Sequence, residues 1–329
     1  MKPPVDWDNL AESYLLDCTS LKSLLRINGL PFSKSTLWIG IRRVASKAPS
    51  GIAFSEKVKL SGTWGSILNL DTSSLKFRKR QYSYLQFSDI QSGDQLDYGI
   101  SKHEDKETVM SHLGKIRYRL GYIPKLVVSD LAPELVEAVR VIYPGVPIQG
   151  CLFHLEKLLN KKLPTWKLEG VLTRNQISLL TFAPKEPIGP QPSREGQRLK
   201  MKHWAEIKKK IMEVVRSRDR HAQQIAIAEL QALDTEKDQR GHRVIEYFLG
   251  KQLNYYYSRD ELEAIGITED TWYSNRCEND IGRIKRLWSI HKGFKSPEAA
   301  QKYIDFYWWK QRASRVVSED LTYYLSGGP

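Results

Sequence analysis

Between Gly65 and His103 the chain carries three short runs rich in Ile, Leu, Tyr and Phe: "GSILNLDTSSLKF", "QYSYLQFSDIQS" and "QLDYGISKH". Only polar turns separate them, at Arg78-Lys79-Arg80 and Ser92-Gly93-Asp94. Runs of this length and composition, joined so tightly, predict a meander of three antiparallel strands. The pattern then changes period. "EDKETVMSHLGKIRYRLG" has helical spacing at Val109, Leu113, Ile116 and Leu120, "PKLVVSD" is a short buried strand, "APELVEAVRVIYP" an amphipathic helix and "VPIQGCLFH" a further strand. An antiparallel meander followed by alternating helix and strand predicts an α/β fold with a mixed central sheet.

On either side the texture is helical. In "SLKSLLRINGLPFSKSTLWIGIRRVA" the apolar positions Leu21, Leu24, Leu25 and Ile27 stop at Asn28-Gly29, and Leu37, Ile39 and Ile41 resume after Ser33. Two short helices about a glycine turn suit a helix-turn-helix, whose second helix presents its first residues to base edges. That places Ser35 and, near the helix end, Arg42 and Arg43 as candidate DNA contacts; a plain helical hairpin has the same pattern. From "LEKLLNKKLP" to "KQLNYYYSRDELEAIG" no strand pattern occurs, and the proline-rich "APKEPIGPQPSREG" interrupts the helices. "KSPEAAQKYIDFYWWKQRAS" starts a last helix with Ser296 as cap and Pro297 at its first position. Its Tyr303, Phe306 and Tyr307 are expected to pack on the sheet.

Composition narrows the partners. The 329 residues carry 51 Lys and Arg against 38 Asp and Glu, a formal charge of +13, with 41% hydrophobic residues. The apolar content supports a buried core, and the cationic excess favours a polyanion, since Lys and Arg gain free energy by displacing counterions from phosphates. Cys18, Cys151 and Cys277 form no paired motif, which suits a reducing compartment. No run approaches the ~20 apolar residues of a membrane span, so a cytoplasmic, nucleoid-associated protein is expected.

Two acids break apolar strand runs: Asp71 after "SILNL" and Asp130 after "KLVVS". An isolated buried carboxylate is costly, and the carboxyl ends of strands are where α/β sheets place their sites. If the first and fourth strands are neighbours, the two carboxylates sit side by side and repel. A divalent cation removes that conflict, and all-oxygen ligation favours Mg²⁺ or Mn²⁺. Glu278, early in a late helix that continues with Arg283, Lys285 and Arg286, would supply a third acid for two ions roughly 3.5–4 Å apart, suited to attack on a phosphodiester. Taken singly, Asp130 also suits a helix cap, Asp71 a turn, and Glu278 a helix-dipole residue.

This order of elements, with Asp71 on the first strand, Asp130 after the fourth and Glu278 on a late helix, resembles the RNase H-like core of DDE transposases of bacterial and archaeal insertion sequences. "CLFH", Cys151 to His154, resembles the C/D-x-x-H signature of members with a helical insertion, the Mutator-like group among them. "SNRCE" resembles their [ST]-N-x-x-E context, with Asn275 as the signature asparagine. Lys285, seven residues beyond Glu278, stands where such families carry a DNA-contacting base, and Arg286 adjoins it. The resemblance covers roughly residues 60 to 315, and the 148 residues from Asp130 to Glu278 imply an insertion.

Beside the helix-turn-helix read over residues 1–50, it implies the first part of a catalytic core over 60–155, a helical insertion over 156–270 and a closing part over 271–329. It further implies metal binding by Asp71, Asp130 and Glu278, supporting roles for Cys151, His154 and Asn275, and double-stranded DNA as partner, both terminal inverted repeats and target. The activity implied is nicking at the repeats and transfer of the 3′-hydroxyl ends, and joining two ends calls for at least a homodimer. Asp280 competes with Glu278, but residues i and i+2 point to different helix faces, and the signature favours Glu278. A structure-selective nuclease or resolvase on the same fold, and a non-catalytic DNA-binding regulator, are the alternatives.

Overall fold

The computed structural model describes residues 5–17, 19–58, 64–77, 80–165, 194–233, 238–268, 275–290 and 296–325. The chain divides into two compact units, Met1–Val146 with Ser274–Pro329, and Pro147–Tyr273.

The first unit opens with four helices: α1 (Trp7–Leu15), α2 (Leu21–Ile27), α3 (Lys34–Ala45) and α4 (Gly51–Val58). Asp6, Ser20 and Ser33 cap the first three, each side chain accepting a backbone N–H of the first turn that has no partner within the helix. The expected break falls in place. Asn28 closes α2, and Gly29 follows at φ +55°, a left-handed conformation that glycine adopts without strain. Two of the positions counted in the helical periodicity are exposed: Ile27 is 69% exposed and Ile39 62%. Both lie off the buried stripe of Leu24, Leu37, Ile41, Val44 and Ala45.

Next come the expected strands β1 (Ile67–Phe77), β2 (Arg80–Asp89) and β3 (Gln95–Ser101), paired antiparallel in sequence order. The alternation follows, with α5 (Lys106–Tyr118), β4 (Leu126–Ser129) parallel to β1, α6 (Pro133–Ile142) and β5 (Ile148–Gly150). The sheet order is β3-β2-β1-β4-β5, the RNase H-like arrangement of a mixed sheet.

Because strand side chains alternate between faces, β1 and its partners present two unlike surfaces. One carries Leu68, Leu70, Leu85 and Phe87, and α5 packs against it. The Phe87 ring stacks on His112 at 5.2 Å, and a Cβ at Gly99 would approach the His112 ring to 2.9 Å, so glycine there lets the helix close. The other face is divided along its length. At one end Leu75, Phe77, Tyr84 and Tyr98 join a core with α1, α3 and two late helices, α12 (Asn275–Ile290) and α13 (Pro297–Leu325). At the other end the same face is polar, with Asn69, Asp71, Gln86, Ser88 and Gln95 all buried.

α13 ties this unit together. Ser296 caps it, with Ala299 N–H donating to Oγ at 3.2 Å. Tyr303, Phe306 and Tyr307 are buried in the core shared with the sheet, as expected, and Trp308 Nε1 donates to the Tyr84 hydroxyl at 2.9 Å. Gln301 Oε1 accepts the Ile100 N–H at 2.9 Å, which satisfies a backbone donor on edge strand β3.

The second unit begins with β5 and continues as α7 (Leu152–Lys162), α8 (Arg194–Val215), α9 (Arg220–Gln231), α10 (Gln239–Tyr247), a π-helical turn Phe248–Gln252, a 3₁₀ turn Leu253–Tyr255 and α11 (Arg259–Ala264). No strand follows β5 among its described residues. Its apolar interior includes Leu152, Leu155, Leu159, Ile207, Ile211, Val214, Leu230, Phe248 and Tyr256. Inside it, Trp204 Nε1 donates to Asp238 Oδ2 at 2.7 Å, so the buried carboxylate has a partner. Among the described residues no helix is long and apolar enough to cross a membrane.

Candidate active site

Asp71 does not end its strand, as the apolar run suggested. β1 continues for six more residues to Phe77, because the alternation of Ser73, Leu75 and Phe77 still matches the divided face. Its carboxylate is 4% exposed, and Oδ1 accepts the Thr72 N–H at 2.7 Å.

Asp130 follows the last residue of β4. The parallel register pairs Ile67 with Leu126, Leu68 with Val127 and Asn69 with Val128. Continued two residues past this pairing and beyond the end of β4, the same register would set Asp130 level with Asp71, at the polar end of the sheet. The backbone beyond Asp130 is specialised. Asp130 Oδ1 accepts the Ala132 N–H at 3.0 Å, Ser129 Oγ accepts the Leu131 N–H at 3.0 Å, and Leu131 adopts φ +64°. Among the described residues Leu131 is the one non-glycine in the left-handed region. Such strain costs on the order of 1–3 kcal/mol and concentrates at functional turns.

Sequence reasoning missed the amides around these acids. Gln86 pairs across strands with Asp71 and is fully buried, and Asn69 lies two residues before Asp71 on the same face. Neither Gln86 amide atom, nor Asn69 Nδ2, nor Gln95 Oε1 finds a hydrogen-bond partner among the described residues. Each such group costs about 1–3 kcal/mol when buried. Their clustering next to two carboxylates is chemically consistent with a site for a hard, hydrated cation and a phosphate, and an all-oxygen carboxylate pair fits Mg²⁺ or Mn²⁺. The available signal was period-2 polarity, Asn69-Asp71-Ser73 against Gln86-Ser88, within strands otherwise read as apolar.

α12 covers this part of the molecule through Asp280. That side chain is 2% exposed, Gln95 Nε2 donates to its Oδ2 at 3.1 Å, and Arg283 approaches Oδ1 at 3.6 Å. Ile281, Ile284 and Leu287 are buried on the same helix, while Lys285 and Arg286 are exposed. The side chains of Glu278 and Asn275 lie outside the described residues, although both positions fall within α12. Among the described residues no three His, Cys, Asp or Glu side chains converge as a metal site.

The remaining expected residues belong to other elements. Ser35, Arg42 and Arg43 are all exposed on α3. Cys151 and His154 belong to the second unit. Cys151 is buried at the start of α7, and the half-buried His154 meets the Phe153 ring edge-on at 5.5 Å. The glycine before Cys151 has a local reason, since a Cβ at Gly150 would lie 2.5 Å from the Tyr256 ring.

No protein-family model matches this chain, and no curated protein matches it. Several solved structures are similar in part, three of them as follows. The HTLV-2 integrase catalytic core domain in complex with magnesium is 16% identical over 39% of this chain and 92% of its own, with a TM-score of 0.22. The Drosophila P element transposase strand transfer complex is 11% identical over 98% of this chain and 94% of its own, with a TM-score of 0.43. The simian T-cell lymphotropic virus intasome in complex with PP2A regulatory subunit B56 gamma is 14% identical over 56% of this chain and 78% of its own, with a TM-score of 0.22. At these identities and TM-scores no residue role is carried over from them.

Proposed function

We propose that this chain is a DNA transposase that binds the terminal inverted repeats of a mobile element, nicks them by metal-dependent hydrolysis and transfers the 3′-hydroxyl ends to target DNA. The observation that supports the reading is Asp71 on β1 and Asp130 directly after β4, its parallel neighbour, with the buried amides of Asn69 and Gln86 beside Asp71. Asp71, Asp130 and Glu278 would hold Mg²⁺ or Mn²⁺, two ions in all, which supply Lewis acidity at the scissile phosphate and lower the pKa of an attacking water.

The chain's own residues do the positioning. Pairing with Gln86 on β2 holds the Asp71 backbone, and the Ser129–Ala132 turn orients Asp130. Asp280, bonded to Gln95, keeps α12 seated so that Lys285 and Arg286 face solvent, where they can meet phosphates. On α3 the exposed residues Ser35, Ile39, Arg42, Arg43 and Ser46 form a continuous stripe without a carboxylate. Cations there suit phosphate or guanine, and exposed Ile39 suits a thymine methyl. The helices of Pro147–Tyr273 fill the place of the insertion in this reading.

The test is strand cleavage and joining on labelled duplexes bearing the element's own ends, read from the DNA flanking the gene, in Mg²⁺ or Mn²⁺. Wild type is expected to nick and join, and Asp130→Asn to lose both by on the order of 10³-fold while end binding persists. Specific binding by wild type without cleavage in either metal would make the chain a DNA-binding regulator. Cleavage without joining would make it a nuclease.

A further inference from the structure

The second unit contains a groove of ≈990 Å³ between α7, α8 and α10, well away in sequence from either aspartate. Five cations line it: Lys161 and Lys162 from α7, Lys200 from α8, and Arg240 and Arg243 from α10. Asp238 is the one carboxylate among its lining residues, and that group is already engaged, accepting from Trp204 Nε1 at 2.7 Å with His203 Nε2 at 3.9 Å.

Elsewhere in the same unit several cations are neutralised locally. Lys210 pairs with Glu213 and Glu229, Arg216 with Glu156, Arg220 with Glu261 and Arg259 with Glu263. Among the described residues Lys161, Lys162 and Arg243 form no ion pair, so like charge is gathered at one groove. Lys200 and Arg240 are held there by the Trp204 ring, at 5.1 and 5.4 Å from its centre.

The floor has a different chemistry. Leu155, Leu159, Val244 and Phe248 are apolar, and Tyr247, 43% exposed, stands at the groove with its hydroxyl accepting from Gln252 Nε2 at 3.2 Å. A small inorganic anion needs no such floor. A duplex keeps its base faces stacked and would meet only the cationic rim. A cationic rim over an apolar, aromatic floor matches a strand whose phosphates and unpaired base faces are both available.

We propose that this groove binds single-stranded DNA, with phosphates on Lys161, Lys162, Lys200, Arg240 and Arg243 and an unpaired base against Tyr247. The inference rests on the transposase reading for its biological substrate, since nicking and joining create unpaired ends. Its chemistry stands on the groove alone.

The test uses the full chain carrying Asp130→Asn, without divalent metal, so that binding is read apart from cleavage. The probes are a labelled oligodeoxythymidine of about 16 nucleotides and a blunt duplex of equal length, followed by anisotropy. Lys161→Ala/Lys162→Ala/Arg243→Ala is expected to weaken single-strand binding by about tenfold or more, and Tyr247→Ala by about five- to tenfold, the order of one lost base stack. Duplex binding should change less than about twofold. Unchanged melting of these surface variants establishes that the fold is intact.

Equal loss for both probes would overturn the proposal in favour of a general phosphate-binding surface, and no loss for either would overturn it outright. A mononucleotide that binds more tightly than the oligonucleotide would also overturn it. Groove-dependent strand binding in a chain that never cleaves its ends would sink the transposase reading and leave the groove standing; normal cleavage with no groove-dependent binding would do the reverse.

Discussion

Asp305 illustrates how a single residue in this fold sets a pH dependence. It is 3% exposed on α13, and burial pushes its carboxyl up to about 6; the Gln301 amide and Lys302 oppose the shift, and Asp97 adds to it. In the unfolded chain the same carboxyl titrates at 3.8. Between those values the folded protein binds more protons than the unfolded one, so stability falls as pH rises through that window, and the penalty is complete above it. Its size is about 2–3 kcal/mol. Asp305→Asn is therefore expected to raise stability by that order at pH 7.5, to leave it nearly unchanged at pH 4, and to flatten the profile between. Urea unfolding at four pH values decides the matter, and an equal loss at every pH would contradict the assignment.

Among the elements, α13 does the most to close the first unit, and its strongest anchor is polar. Arg312 is 2% exposed, donates to both Asp94 oxygens at 2.7 and 2.8 Å, and reaches the Gly51 carbonyl at 3.0 Å and Ser55 Oγ at 2.7 Å. One side chain thus joins the last helix to α4 and to the β2–β3 turn. Arg312→Met strands the Asp94 carboxylate and is expected to cost about 3–5 kcal/mol. The double variant Arg312→Met/Asp94→Asn, which buries no charge, should recover part of that. If the two variants unfold at the same denaturant concentration, packing rather than charge explains the loss.

At the scale of the molecule the net charge of +13 is the dominant property. With DNA as the proposed partner, it predicts binding that weakens steeply with salt, through release of counterions from each neutralised phosphate. Exposed Lys285 and Arg286 are two of the groups assigned to that role. Lys285→Ala/Arg286→Ala is expected to lower the slope of log affinity against log salt by about 2 for duplex ends, with little change in melting. Titrations between about 50 and 200 mM salt measure the slope; an unaltered slope would remove these residues from the DNA contact set.

Local pattern was enough for much of the architecture. Short runs rich in Ile, Leu, Tyr and Phe between polar turns marked β1 to β3, helical spacing marked α5 and α6, and Ser33 and Ser296 announced the helices they cap, because these features depend on neighbours a few residues away. The breaks at Asp71 and Asp130 were also visible, as charges interrupting apolar runs. Tertiary structure decided the rest. Only strand pairing lays β4, which Asp130 follows, alongside β1, only the divided sheet face makes buried amides of Gln86 and Gln95, and only the anchoring of α12 turns Asp280 into a bond to the sheet. The same holds for Ile27 and Ile39, whose periodicity promised burial that the packing of α1, α2 and α3 did not provide. A residue's type is local, but its partners are set by chain segments tens to hundreds of positions away, and no window along the sequence contains both.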